Sequence, residues 1–336
     1  MAKNKYFKKI KLEEFNRSIQ WRRKIASGQK NIADKSLTKL EDPISCPICT
    51  DNNSKSFVTV YRHSYHECIN CGHIYLKKPP KNQFISELYE TEDIEEPVKS
   101  LQGEIYIQES LYKKRVNEIA KPKAEFADKL IIEKGKWVDI GAGVGDLVLA
   151  LKELGWDVIG YESDKNEVDF ATSMGSNVIK KVISKKDFKL ILKDVKVVSA
   201  INILEHLKDP KSFVNEISKN LNKESFLLFE VPRFPSISSL ANKCFPDLTA
   251  RNIVPPDHLH IFTDKSMKIM IRSAGLEIIS TWFFGQDIYE LFGNILTKGN
   301  FENHSLIDKV ISLTNDLQKV VDKNGLSDTM LILAKK

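Results

Sequence analysis

The run Val138-Asp139-Ile140-Gly141-Ala142-Gly143-Val144-Gly145-Asp146-Leu147 decides the fold of this chain. An apolar strand enters three glycines at alternate positions, and a helical pattern (Leu147, Val148, Leu151, Leu154) leaves them. Glycine permits a sharp strand-to-helix turn and lets a ligand approach the backbone at a helix N-terminus. A second apolar strand, Val158-Ile159-Gly160-Tyr161-Glu162, ends in an acid 21 residues after Gly141. A carboxylate at that distance suits the two hydroxyls of a ribose. The two strands read as the nucleoside-binding first half of a doubly wound sheet.

A dinucleotide fingerprint would need its third glycine at position 146, where Asp146 stands. The spacing is instead Asp139-x-Gly141-x-Gly143-x-Gly145. Asp139 puts a carboxylate beside the loop, which suits an ammonium group and not a pyrophosphate. This pattern resembles motif I of the class I S-adenosylmethionine-dependent methyltransferases, whose cofactor joins an adenosine to an amino acid. The resemblance implies that Gly141, Ala142, Gly143 and Gly145 pack along the cofactor and that Glu162 takes the ribose. Asp139 and Asn202 would orient the amino-acid tail. The segment from Lys181 to Asp187 lacks the acidic turn often seen there in the family, so no adenine contact is assigned.

Apolar runs predict strands near 136–140, 157–161, 177–182, 196–201, 225–231, 276–282 and 328–334, with helices between the first six. That alternation predicts an α/β fold with a mostly parallel sheet covered on both faces. The resemblance adds that the sheet is Rossmann-like and seven-stranded with its last strand antiparallel, a place that Thr329-Met330-Leu331-Ile332-Leu333-Ala334 fits. Thr263 and Asp264 read as the start of a helix running through Ala274, with Gly275 as its stop.

Four of the five cysteines form two pairs, Cys46-Pro47-Ile48-Cys49 and Cys68-Ile69-Asn70-Cys71. Each C-x-x-C makes a knuckle, and two knuckles complete a closed tetrahedral Zn²⁺ site, structural and not catalytic. Flanking strands at 56–61 and 73–76 predict a zinc ribbon. His63, His66 and His73 lie close enough in sequence to replace a cysteine, and Cys244 reads as an ordinary loop residue. Paired thiols of this kind predict a reducing, cytoplasmic setting, and no apolar run reaches transmembrane length.

The organisation predicted is a basic arm over 1–42, a zinc ribbon over 43–78, and a linker with cofactor-covering helices over 79–134. The methyltransferase-like domain follows over 135–336, with insertions at 233–256 and 283–327. Residues 1–40 hold twelve Lys/Arg against Glu13, Glu14 and Asp34, whereas the whole chain is +6, so the remainder is net negative. The arm reads as a solvated lysine-rich helix in which Phe7, Ile10, Phe15, Ile19 and Trp21 form an apolar stripe able to dock on a neighbour; binding to nucleic acid or to an anionic membrane surface is the alternative. In the covering segment Tyr89, Tyr106 and Tyr112 are candidates to line the cofactor. The second insertion carries an apolar stripe (Leu306, Ile307, Val310, Ile311, Leu317, Val320, Val321) for the sheet, a lid or a dimer contact.

Two further motifs fall beyond strand ends, where open α/β sheets bind ligands. The first is Asn202-Ile203-Leu204-Glu205-His206, which resembles the strand-four motif of the same superfamily. Glu205 and His206 can serve as base, substrate ligand or metal ligand, or can cap the next helix. Some quinone O-methyltransferases hold a divalent ion with a second acid at the place of Asn202, an acid this chain lacks. The second motif is Pro255-Pro256-Asp257-His258-Leu259-His260, in which alternation puts His258 and His260 on one side. His258 is the leading candidate for a general base and His260 the next.

The ribbon, the Glu-His pair and the His-x-His element resemble methyltransferases of the small-molecule and sugar-modifying branch. The function expected is S-adenosylmethionine-dependent methyl transfer to a sugar or polysaccharide precursor. An RNA methyltransferase using the arm and ribbon is one alternative, and a non-catalytic cofactor-binding scaffold is another.

Overall fold

The computed structural model describes residues 6–11, 18–85, 107–301 and 305–336. Tyr89, Tyr106 and Phe15 lie outside the described residues. The strands are β1 (Ser54–Val60), β2 (His63–Cys68), β3 (Ile74–Leu76), β4 (Lys136–Ile140), β5 (Asp157–Glu162) and β6 (Val178–Lys180), then β7 (Val195–Ile201), β8 (Phe226–Phe234), β9 (His260–Thr263), β10 (Glu277–Phe284) and β11 (Thr329–Lys335). The helices are α1 (Ile19–Ser36), α2 (Glu109–Arg115), α3 (Lys121–Asp128), α4 (Asp146–Glu153), α5 (Lys165–Ser173) and α6 (Phe188–Ile191), then α7 (Pro210–Asn220), α8 (Ile237–Cys244), α9 (Asp264–Ser273), α10 (Asp287–Lys298) and α11 (Ile307–Lys323).

Strands β6-β5-β4-β7-β8 run parallel, and β11 closes on β8 antiparallel with β10 beyond it. Every α/β strand expected from the sequence is present within a few residues of its expected bounds. The central strands are buried on both faces: Trp137, Val138, Val197, Val198, Leu227 and Leu228 are wholly inaccessible. One apolar layer collects Val138, Val198 and Phe229, and the other Trp137, Val197 and Leu228. This strict alternation is what a two-sided sheet demands. Thr263 caps α9 through a reciprocal bond with Ser266, and Gly275 beyond it has φ +69°.

The sheet is larger than the seven strands expected. Strand β9 pairs parallel with the end of β8 (Arg233↔Phe262) and antiparallel with β3 (Ile74↔Ile261), so the cysteine module joins the main sheet edge to edge. The joined sheet has 11 strands. The reason is local: β8 runs on through Pro232, Arg233 and Phe234, leaving backbone groups that β9 satisfies. The cysteine module also contains β2, which the expected two strands omitted.

Helix α1 of the basic arm docks by its apolar side and leaves Arg23, Lys24, Lys30 and Lys35 exposed to solvent. Ile19, Ile25, Ile32 and Ala33 of α1 are buried, and the Arg22 guanidinium reaches Glu290 of α10 at 2.6 Å with both side chains almost inaccessible. Upstream, Phe7 packs edge-on against Phe126 and Trp282, while Lys8 and Lys11 pair with Glu125 and Glu118. Docked apolar side chains decide the arm's place, and part of its charge is neutralised by acids of the covering segment. The expected stripe on the second insertion is also divided. Helix α11 buries Thr314, Gln318, Val321 and Asp322, leaving Leu313, Leu317 and Val320 exposed. Buried Asp287 draws the polar face inward, since Gln318 donates to it and to Asp322.

Candidate functional site

At the end of β4 the backbone turns through Gly141 (φ +70°), Gly143 (φ +53°) and Gly145 (φ +71°) into α4. All three lie in the left-handed region that side chains oppose. A Cβ on Gly141 would fall 2.2 Å from the Ile203 side chain, and one on Gly145 2.8 Å from Cβ of Ser176. The loop is tied to β5, because the amides of Gly141 and Ala142 both donate to the Tyr161 carbonyl at 2.9 and 3.0 Å. Glu162 holds it from beyond: its carboxylate accepts from the Gly143 amide at 3.0 Å and from the amides of Ser163 and Asp164.

A cleft of about 170 Å³ opens over this loop, lined by Asp139, Gly141, Ala142, Gly143 and Asn202 among others. Gly145 lies just outside it, its carbonyl accepting from Ser176 and from Tyr112 of α2. Tyr112 therefore lies against the glycine loop, fully buried. Asp139 is buried and accepts from the Ser199 hydroxyl, which in turn accepts from the Trp137 indole. Burial raises its carboxyl to about 7, against the opposing effect of the Ser199 hydrogen bond. Asn202, at φ +53°, donates from its side chain to Glu230 at 3.3 Å.

Residues 111–281, just over half the chain, match the family model described as a methyltransferase domain. The chain belongs to this methyltransferase family. It is a methyltransferase. No match was found among curated proteins. Among solved structures the methyltransferase is similar to a SAM-dependent methyltransferase from Archaeoglobus fulgidus, at 19% identity over 68% of this chain and 99% of that one, TM-score 0.45. A possible histamine N-methyltransferase from Thermotoga maritima gives 17% identity over 69% and 99%, TM-score 0.44. The plantazolicin methyltransferase bound to S-adenosylhomocysteine gives 12% identity over 75% and 94%, TM-score 0.46.

The loop of the methyltransferase suits its cofactor on physical grounds. Gly141 and Gly145 have no room for a side chain, Gly143 shares their positive φ, the inward face carries Asp139 and Asn202, and Glu162 stands at the far end of the loop. Glu162 does not line the cleft itself.

A second cluster forms beyond β7. Leu204–His206 make a single 3-10 turn, and the Leu259 amide donates to the Glu205 carbonyl at 2.7 Å, joining the two sequence motifs. Glu205, His206 and His258 then offer ligand atoms within 4.8 Å of one another. The His206 Nδ1 meets the carbonyl and the carboxylate of Asp257, each at 3.1 Å. Burial lowers the His206 imidazole, but Asp257 and then Glu205 outweigh it and hold it at about 9. Burial and the neighbouring His206 charge lower His258 to about 4, so it is neutral near pH 7. Its Nδ1 is bonded to the Asn252 carbonyl at 2.9 Å. Burial pushes the Glu205 carboxyl up to about 7.

His260 does not share this side with His258. Strand β9 begins only at His260, so the alternation expected from the sequence does not reach back to 258. The His260 ring instead bonds the Leu207 carbonyl at 2.7 Å and the His73 ring at 3.2 Å. It is a buried seam between the cysteine module and the loop after Glu205, and burial lowers its imidazole to about 4.

In the cysteine module the thiols of Cys46, Cys49, Cys68 and Cys71 converge within 4.8 Å. Sulfur pairs lie 3.4 and 3.5 Å apart, far beyond a disulfide bond. A hydrogen bond from Cys71 lowers the Cys46 thiol to about 6 and raises that of Cys71. None of the three nearby histidines enters the group: His63 meets Ser36 and Ala33, His66 meets Ser54, and His73 meets His260 and Ser266.

Sequence reasoning passed over Lys123, Glu230, Asp257 and Tyr65. Lys123 lines the cleft and pairs with Glu230 at 2.6 Å. Tyr65 of β2 donates to the His258 carbonyl at 2.6 Å. Each belongs to an ordinary strand, loop or helix pattern, and only long-range packing brings it to the site.

Proposed function

We propose that this methyltransferase acts on a small hydroxylated molecule, a sugar or polysaccharide precursor, at the cluster of Glu205, His206 and His258. The observation that carries the reading is the neutral His258 imidazole beside a cationic His206 and a buried carboxyl, three residues beyond the Asn202 that lines the cofactor cleft. Bound S-adenosylmethionine supplies a methyl group on an already activated sulfonium, so the protein's tasks are alignment and proton removal. Gly141, Ala142 and Gly143, with Gly145 supporting the turn from just outside the cleft, would hold the cofactor along the loop; Glu162, which braces the loop from beyond the cleft, would take the ribose, and Asp139 with Asn202 would orient the tail. His258 takes the proton of the acceptor hydroxyl at Nε2, because its Nδ1 is engaged by Asn252. His206, held cationic by Asp257, stabilises negative charge on the acceptor oxygen.

The four thiols suit a structural Zn²⁺, which they would saturate. The ribbon supports the acceptor side, since Tyr65 holds the His258 carbonyl and β3 pairs with β9. An RNA substrate is less well supported, because Lys8 and Lys11 of the arm are paired with acids of the same chain.

Calorimetric titration with S-adenosylmethionine and with NADH, repeated on Glu162→Ala, tests the cofactor assignment. Saturable binding of the former alone, weakened in the variant, is expected; NADH binding would overturn it. Transfer of labelled methyl from the cofactor to nucleotide sugars, and not to RNA, tests the acceptor class.

A further inference from the structure

The amino-acid tail of the cofactor is a zwitterion, and the residues assigned to it so far, Asp139 and Asn202, provide no cation for its carboxylate. The cleft wall beside them does. Lys123, on the covering helix α3, is only 7% exposed and lines the cleft together with Asp139 and Asn202. Its Nζ lies 2.6 Å from Glu230 Oε2, and Glu230 Oε1 accepts from Asn202 at 3.3 Å. The ammonium also lies over the Phe284 ring at 5.7 Å. An ammonium has three protons to donate, and Glu230 is its one carboxylate partner among the described residues.

The covering helix is built to bring cations here. Between α2 and α3 the backbone widens into a π turn over Val116–Ala120, and Ile119 and Ala120 of that turn line the cleft. Arg115 and Lys123 flank it. Eight residues along a regular α-helix would leave two side chains about 80° apart in azimuth. A π turn rotates less per residue and brings both towards one face, and such turns recur at functional sites. Arg115 is engaged by Asp146 at 2.9 Å. Stability does not account for the other cation, because desolvation offsets most of the attraction in a buried lysine–carboxylate pair.

We propose that Lys123 binds the α-carboxylate of the cofactor's amino-acid tail, with Glu230 holding the ammonium in place for it. The assignment rests on the S-adenosylmethionine reading above and completes the recognition of the tail. Asp139 and Asn202 face the ammonium end, and Lys123 faces the carboxylate.

The test compares S-adenosylmethionine with 5′-methylthioadenosine, which keeps the adenosine and thioether but has no amino-acid tail. Affinities are measured by calorimetry on the full chain and on Lys123→Met, which keeps the apolar stem. A lost charge-assisted hydrogen bond weakens S-adenosylmethionine about ten- to a hundredfold, while 5′-methylthioadenosine stays within about twofold. The double variant Lys123→Met/Glu230→Gln, which strands no buried carboxylate, shows the same selective loss. Unchanged S-adenosylmethionine affinity in Lys123→Met overturns the proposal. So does an equal loss of both ligands in both variants, which would make Lys123 a structural residue of the cleft. Wild-type protein that binds neither ligand overturns the cofactor reading itself, and the Lys123 assignment with it.

Discussion

The rings of His206 and His258 meet edge to face with centroids 4.7 Å apart, although they come from loops after different strands. The contact sets their electrostatics against each other. Asp257 keeps His206 protonated, and the resulting charge, added to burial, keeps His258 neutral. A neutral imidazole beside a fixed cation is what a hydroxyl acceptor requires if one group is to take its proton and another to face its oxygen.

Replacing His258 by alanine therefore lowers methyl transfer by about a hundred- to ten-thousandfold, the range of general-base loss. Cofactor affinity stays nearly unchanged, since His258 does not line the cofactor cleft. Single-turnover transfer and calorimetry on the same preparation separate the two. A matching loss of cofactor binding would refute the base assignment.

The pH dependence of stability has a definite sign at His206. Its folded value near 9 lies above the ordinary 6.5, so the folded state keeps a proton that the unfolded state releases. The stabilisation is complete below pH 6.5 and is lost as pH rises through 9, with an upper bound of about 3 kcal/mol. Melting temperatures of wild type and His206→Gln between pH 6 and 10 should converge towards the alkaline end. A constant gap would show that the histidine contributes by packing alone.

Changing Cys71 to serine removes one of four converging thiols and should abolish stoichiometric zinc, measured by atomic absorption. The effect should spread beyond the knuckle. Thr263 donates to the Cys71 carbonyl, and His73 bonds His260, which bonds the Leu207 carbonyl. Amide exchange in β9 and in the loop after Glu205 should accelerate together. Exchange confined to residues 43–78 would mean the seam transmits nothing.

The Arg22–Glu290 pair joins the arm to the second insertion with both groups buried. Removing only the cation, as Arg22→Met, leaves Glu290 unpaired and should cost about 3–5 kcal/mol. The double variant Arg22→Met/Glu290→Gln should recover much of that loss in denaturant unfolding. An Arg22→Met protein as stable as wild type would place the arm's anchorage in its apolar contacts alone.

Periodicity and glycine spacing carried the main sheet because they are local. Burial on both faces requires runs such as Phe226-Leu227-Leu228-Phe229, and a left-handed turn into a helix requires glycine at 141, 143 and 145. Paired cysteines were legible for the same reason, since each knuckle is four residues long. The basic arm showed its apolar stripe but not the face it docks on, because that face is built from distant helices. His260 misled, because alternation was extended past the start of β9.

By itself, then, the sequence determined the order of strands and helices, the glycine loop with Asp139 and Glu162, and the four thiols. Only the tertiary structure decided that β9 joins the ribbon to the main sheet, that His258 meets His206 while His260 meets His73, and that Lys123 of the cleft pairs with Glu230. The first set follows from dihedral preference, burial period and short ligand spacing, which neighbouring residues encode. The second depends on packing between segments far apart in the chain, and no local pattern specifies which polar side chains that packing brings within hydrogen-bonding reach.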